Sequence, residues 1–276
     1  MPHTSAKNMT DPKMPCSGVS CSEADCSEAD CSGANCSAPP SVSCHSVQIS
    51  HELSRLADAS YRDFAASLLP GVSNILGVRL PGLRKLAKRL AKEDWEWYLA
   101  QCTACSFEEI MLKGFLIGYG HETASVPLPR IMDEITLFLP WIDNWSVCDS
   151  FCITLKAAGT DQEAFWDYLQ PLFQSEEEFT LRFAVVMLLD HYINDAYIHR
   201  LYPVFDSVCH PGYYVKMAVA WAVSMCYVRF PCETERYLAS CQLDDFTYNK
   251  ALQKITESRC VDAETKKHIR ELKRRT

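Results

Sequence analysis

"FTLRFAVVMLLDHY", residues 179–192, is apolar around almost its whole circumference, yet it carries Arg182. A segment of this length with no alternation of apolar and polar residues reads as a helix buried on most sides. Leu181, Phe183, Ala184, Val185, Val186, Met187, Leu188 and Leu189 leave Arg182 little access to water. An unpaired buried guanidinium is costly, so the sequence must supply a partner.

Three other stretches also read as apolar helices: "IMLKGFLIGY" (110–119), "YYVKMAVAWAVSMC" (213–226) and "TYNKALQKI" (247–255). Each places a base near its start: Lys113, Lys216 and Lys250, with Arg182 between the first two. The intervals are 69 residues (113 to 182), 34 (182 to 216) and 34 (216 to 250). Since 69 is about twice 34, one more unit belongs between Lys113 and Arg182. A period in this range reads as stacked helical pairs. The expected fold is all-α, a curved α-solenoid of HEAT-like repeats. A row of bases on its concave face suits a phosphate backbone. The same residues also suit solvent edges, where long basic side chains snorkel.

The missing unit is "WIDNWSVCDSFCITLKAAG", residues 141–159. Asp143 or Asn144 is placed to cap a helix that starts at Trp145. At about 100° per residue, Asp149 falls near 40° from Trp145, with Cys152 and Lys156 on the same side. Val147, Phe151, Thr154, Leu155 and Ala158 form the opposite, apolar stripe. Cys148 occupies the rung where sister repeats carry a base, and Asp149 sits beside it. Asp149 is therefore a candidate partner for Arg182. A cluster of Trp145, Asp149, Arg182 and Trp221 makes an aromatic slot with a carboxylate and a cation at its base.

Towards the N-terminus, "RLPGLRKLAKRLAKED" (79–94) predicts a helix with Pro81 in its first turn. Leu83, Leu86, Ala87 and Leu90 form its buried stripe. Arg84, Lys85, Lys88, Arg89 and Lys92 cover the other side. Trp95, Trp97 and Trp166 read as core between helices. Cys102 and Cys105 read as two small thiols facing the core, because a metal site needs further ligands nearby.

Fifteen cysteines, six of them before residue 50, belong to a chain with net charge −8. The odd count argues against a complete disulfide framework, and no secretory signal is visible, so a reducing, cytoplasmic setting is expected. No run of about 18 apolar residues marks a membrane span. Residues 16–37 repeat every five residues as CSGVS-CSEAD-CSEAD-CSGAN-CS. Shifted by two, the frame reads ADCSE-ADCSG-ANCSA (24–38). Three units are too few to stack into a solenoid coil, so residues 1–48 are expected to be a disordered, low-complexity tail ahead of a helical-repeat domain at 49–276.

Four segments resemble one family. "ILGVRLPGLRKLAK" (75–88), "NWSVCDS" (144–150), "LRFAVVM" (181–187) and "KMAVAWAV" (216–223) are similar, in order and spacing, to the DNA alkylation repair family of HEAT-like-repeat alkylpurine glycosylases, the AlkD-type proteins. The resemblance spans roughly residues 50–260. It implies a monofunctional DNA glycosylase for positively charged purines such as 3-methyladenine and 7-methylguanine. It implies Asp149 as the catalytic carboxylate, Trp145 and Trp221 beside the lesion's deoxyribose, and Arg182 at the backbone or in support of the site. Arg84, Lys85, Lys88, Arg89, Lys113, Lys216 and Lys250 would hold double-stranded DNA by its phosphates. No cofactor or metal is expected, and a monomer suffices. Two other readings remain: a non-catalytic binder of distorted or branched DNA, and a protein-interaction solenoid suited to the acidic net charge.

Overall fold

The computed structural model describes residues 44–102 and 104–275. The repetitive stretch 16–37 and nearly all of the expected disordered tail lie outside the described residues.

Two helices lead, α1 (Cys44–Leu56) and α2 (Ala59–Leu68). α1 thus takes in the last residues of the 1–48 stretch. Six pairs follow: α3 (Leu80–Leu90) with α4 (Trp95–Gln101), α5 (Phe107–Ala124) with α6 (Leu128–Phe138), and α7 (Trp145–Cys152) with α8 (Gln162–Leu169). Then come α9 (Glu178–His191) with α10 (Ile198–Ser207), α11 (Tyr213–Arg229) with α12 (Pro231–Leu238), and α13 (Asp245–Glu257) with α14 (Ala263–Glu271). No β-strand occurs among the described residues; one isolated bridge joins Ala57 and Val78.

The second helices stay outside. The first helices stack on one another in chain order: α3 on α5, α5 on α7, α7 on α9, α9 on α11 and α11 on α13. This is the helical-pair solenoid expected from the repeat. It explains why α5, α9 and α11 lack a polar face. Each has a sister helix on either side and its outer layer behind, so nearly every direction is interior. Phe183, Val185, Met187 and Val223 are fully buried, each contributing about 1.5–3 kcal/mol of transfer free energy. Aromatic contacts tie the stack. The Phe138 and Phe151 rings meet edge-on at 4.8 Å, and Phe151 stacks on Phe183 at 5.8 Å.

α3 forms as its pattern predicts, with Leu83, Leu86, Ala87 and Leu90 buried. α7 does not. It ends at Cys152, and the continuous helix expected through Ala158 is replaced by a turn and a 3-10 segment, Lys156–Gly159. Thr154 N–H bonds Phe151 O at 2.9 Å and Leu155 N–H bonds Cys152 O at 3.0 Å, tightening the chain out of α-helical register. Packing fixes the stop: a Cβ at Gly118 would lie 2.5 Å from Thr154 Oγ1, so α5 meets this turn directly. Lys156 therefore leaves the Trp145 face and pairs with Glu122 at 2.8 Å. Another long-range tie starts the stack. Buried Glu108 accepts the backbone N–H groups of Leu76, Gly77 and Val78 at 2.9, 2.7 and 3.0 Å, fixing the loop before α3 to the first turn of α5. Among the described residues no helix is long and apolar enough to cross a membrane.

Candidate active site

Asn144 is the cap of α7: its Oδ1 accepts Val147 N–H at 3.0 Å, and its Nδ2 donates to Asp143 at 2.7 Å. That start puts Trp145 in the first turn and Asp149 one turn on. α9 runs alongside, and Arg182 meets Asp149. Its Nε donates to Oδ1 at 2.9 Å and its Nη2 to Oδ2 at 2.8 Å, a two-pronged pair. Its Nη1 donates to Tyr214 O on α11 at 2.7 Å. One guanidinium thus joins three successive rungs, which is why so apolar a helix tolerates it.

The pair is oriented. The Arg182 side chain is 7% exposed and that of Asp149 is 20% exposed. The cation lies behind and the carboxylate in front, so the outward end of the dipole is negative.

The two tryptophans are half-buried against the core. Trp145 Nε1 donates to Leu68 O at 3.3 Å, so the last turn of α2 reaches this site across 77 residues of sequence. Trp221 follows Tyr214 by seven residues, which places both on one side of α11, about 10 Å apart along its axis. Lys216 precedes Trp221 by five residues and projects about 140° away from it around the helix.

The basic residues of the ladder find local partners. Lys113 Nζ lies 5.0 Å from the Trp141 ring centre, Lys216 Nζ lies 3.4 Å from Asp244, and Lys250 Nζ donates to Gln253 at 3.1 Å. On α3, Arg84 covers the Phe115 ring at 4.9 Å, Lys88 lies 5.1 Å from the Tyr119 ring centre, and Arg89 pairs with Glu52 at 2.8 Å. Arg84, Lys85, Lys88 and Arg89 lie on one face of α3 and the turn after it, together with Lys92, and the one acid among the described residues of that face is Glu93.

Three groups near the pair were not singled out by the sequence. Tyr214 contributes only its carbonyl, which no side-chain pattern signals. Lys254 sits one turn beyond Lys250. Burial lowers its pKa, and the Arg182 and Lys250 charges push the same way against Glu257 and Asp149. Asp190 stands two turns beyond Arg182. Burial pushes its carboxyl up to about 6, and the Asp149 charge adds to the rise. Its neighbour His191 shares a 3.2 Å hydrogen bond with Cys152 O, and burial lowers its pKa.

Asp190 gives a pH prediction. The ordinary value of its carboxyl is 3.8 and in the folded chain it titrates near 6, so between these values the folded chain binds more protons. Stability linked to this group is complete below about pH 4 and is lost as pH rises through 6. Asp190→Asn therefore raises the thermal unfolding midpoint at pH 7.5, and the gain shrinks towards pH 4.5. A gain that grows on acidification contradicts this assignment.

Trp95 and Trp166 are buried and Trp97 packs partly buried against the core, as expected. The expected pair of core-facing thiols is half right: Cys102 is buried, whereas Cys105 is exposed.

Fold and site together define a class: a helical-pair repeat protein with an outward carboxylate clamped by a buried arginine, one helical turn from a half-buried tryptophan. The family model described as "DNA alkylation repair enzyme" matches residues 49–257, and the chain belongs to that family. Membership assigns it to DNA alkylation repair, as an enzyme with DNA as its partner. Comparison with the curated proteins finds no match.

Proposed function

We propose that this protein is a monofunctional DNA glycosylase that excises purines carrying a positive charge from alkylation, of the 3-methyladenine and 7-methylguanine type. The observation that carries the reading is the Asp149–Arg182 pair, with its carboxylate on the exposed side.

A cationic base is already a good leaving group. The C1′–N bond breaks, its electron pair neutralises the departing base, and positive charge develops on the sugar. No acid is needed to protonate the leaving group. Asp149 stabilises the oxocarbenium-like sugar and orients the water that adds to C1′. Arg182 holds the carboxylate in place through its two-pronged pair and is itself anchored on Tyr214 O, so little reorganisation accompanies charge development. Trp145 and Trp221 present ring faces that favour a cation. The cations of α3, with Lys113, Lys216 and Lys250, hold the duplex by its phosphates.

The test is release of free 7-methylguanine and 3-methyladenine from methylated duplex DNA. Release above that of Asp149→Ala supports the reading, and equal release removes it. The basic face of α3 favours a second reading, a non-catalytic binder of distorted or branched DNA. That reading predicts tight binding without base release. Both readings expect this face to hold phosphates. Neutralising Arg84, Lys85, Lys88 and Arg89 together then flattens the salt dependence of duplex binding, by up to about 0.9 in log–log slope for each phosphate no longer neutralised. An unchanged slope removes this face from the interface.

A further inference from the structure

Beyond the site of excision, the last rung carries a hollow of about 440 Å³ between α13 and α14. Phe246, Lys250, Arg270 and Lys273 line it, with the Asn249 and Gln253 amides in its wall, and no carboxylate is among its described lining residues. In a chain of net charge −8, three cations around one hollow select for an anion.

The hollow also offers an aromatic surface. Phe246 is 37% exposed and Tyr213, 6.1 Å from it between ring centres, is 55% exposed. The Lys216 and Lys250 ammoniums lie 5.9 and 5.8 Å from the centre of the Phe246 ring. Partly exposed aromatic rings beside ammonium groups are the ingredients of a base-stacking, phosphate-holding site. A duplex presents base edges and keeps its π-faces stacked inside. Only an unpaired base can use the Phe246 ring.

The amides in the wall are already committed. Asn249 exchanges two 3.0 Å hydrogen bonds with the Arg274 backbone. Gln253 donates to Glu257 at 2.7 Å and accepts from Lys250 at 3.1 Å. Charge and stacking remain for a ligand, whereas a code for base edges does not.

We propose that this hollow binds an unpaired nucleotide of single-stranded DNA. Its base stacks on Phe246 beside Tyr213, and its flanking phosphates lie among Lys250, Arg270 and Lys273. The site extends a duplex-holding ladder with a sequence-tolerant grip on a single-stranded flank.

Fluorescence anisotropy with the full chain tests this on two probes: a blunt duplex, and the same duplex with a short single-stranded extension. The wild type binds the extended probe at least about fivefold more tightly, the lower end of a single base–aromatic stack. Phe246→Ala removes that ratio, and Phe246→Trp keeps it. Arg270→Ala/Lys273→Ala lowers the salt slope for the extended probe by about 1.4, at 0.7 per single-strand phosphate contact. Adenine and thymine extensions bind alike. Equal binding of blunt and extended probes by the wild type overturns the proposal, as does a ratio that survives Phe246→Ala. The ratio decides even where a variant weakens both probes together. Base release plays no part in the measurement, so its outcome is separate from that of the glycosylase reading.

Discussion

Asp149→Asn lowers the single-turnover rate of base release about 10²- to 10³-fold and leaves duplex affinity nearly unchanged. That loss is the size associated with removing one preorganised electrostatic group from a charge-developing transition state. The substitution keeps the side chain's shape and its foothold on Arg182 through the amide oxygen. What disappears is the negative charge facing outward, together with one acceptor for the guanidinium. On the proposed reading, ground-state binding rests on phosphate contacts elsewhere along the stack, so affinity and rate separate. A parallel loss of both would assign Asp149 to DNA holding, a role in which its charge would repel phosphate. Kinetics under single-turnover conditions, run beside anisotropy on an undamaged duplex, distinguish the two outcomes.

The second large effect falls on stability. Arg182→Met removes three hydrogen bonds from a nearly buried cation and leaves Asp149 and Tyr214 O without their partner. Breaking such a pair from one side costs about 3–5 kcal/mol. For a body of this size each kcal/mol moves the midpoint by about 2–4 °C, so a fall of about 6–20 °C is expected in a thermal melt. The double variant Asp149→Ala/Arg182→Met recovers part of that fall, because the stranded carboxylate is gone as well. Strictly additive losses in the cycle would mean that the two side chains are not coupled. Methionine is the informative replacement because it fills most of the arginine's volume in an apolar site.

Much of this arrangement was legible in the chain because its cause is local or periodic. The α3 stripe follows from helical spacing, and residue type narrows the α7 cap to Asp143 or Asn144, of which the fold uses Asn144. The Arg182–Asp149 contact is anticipated from a burial rule: a guanidinium in a nearly all-apolar helix needs a partner, and the repeat register offers Asp149 on the preceding rung. What stayed illegible depends on groups far apart in sequence. Nothing near residue 152 announces the end of α7, since that end is imposed by α5 meeting Thr154 at Gly118. The hook of Trp145 on Leu68 and the cradle of Glu108 around residues 76–78 use backbone groups, which carry no sequence signature. Lys216 occupied the right register but points away from Trp221. A repeat interval sets the rung; the helix phase sets the face.

The most direct measurement is single-turnover release of the free base from a duplex carrying one 7-methylguanine, with the unmodified duplex as control. The expected result is first-order release of 7-methylguanine well above the buffer rate, lost in Asp149→Asn, with no release of guanine. Release from the wild type no faster than in buffer, while the lesion duplex is fully bound, would contradict the assignment of Asp149 as the catalytic carboxylate.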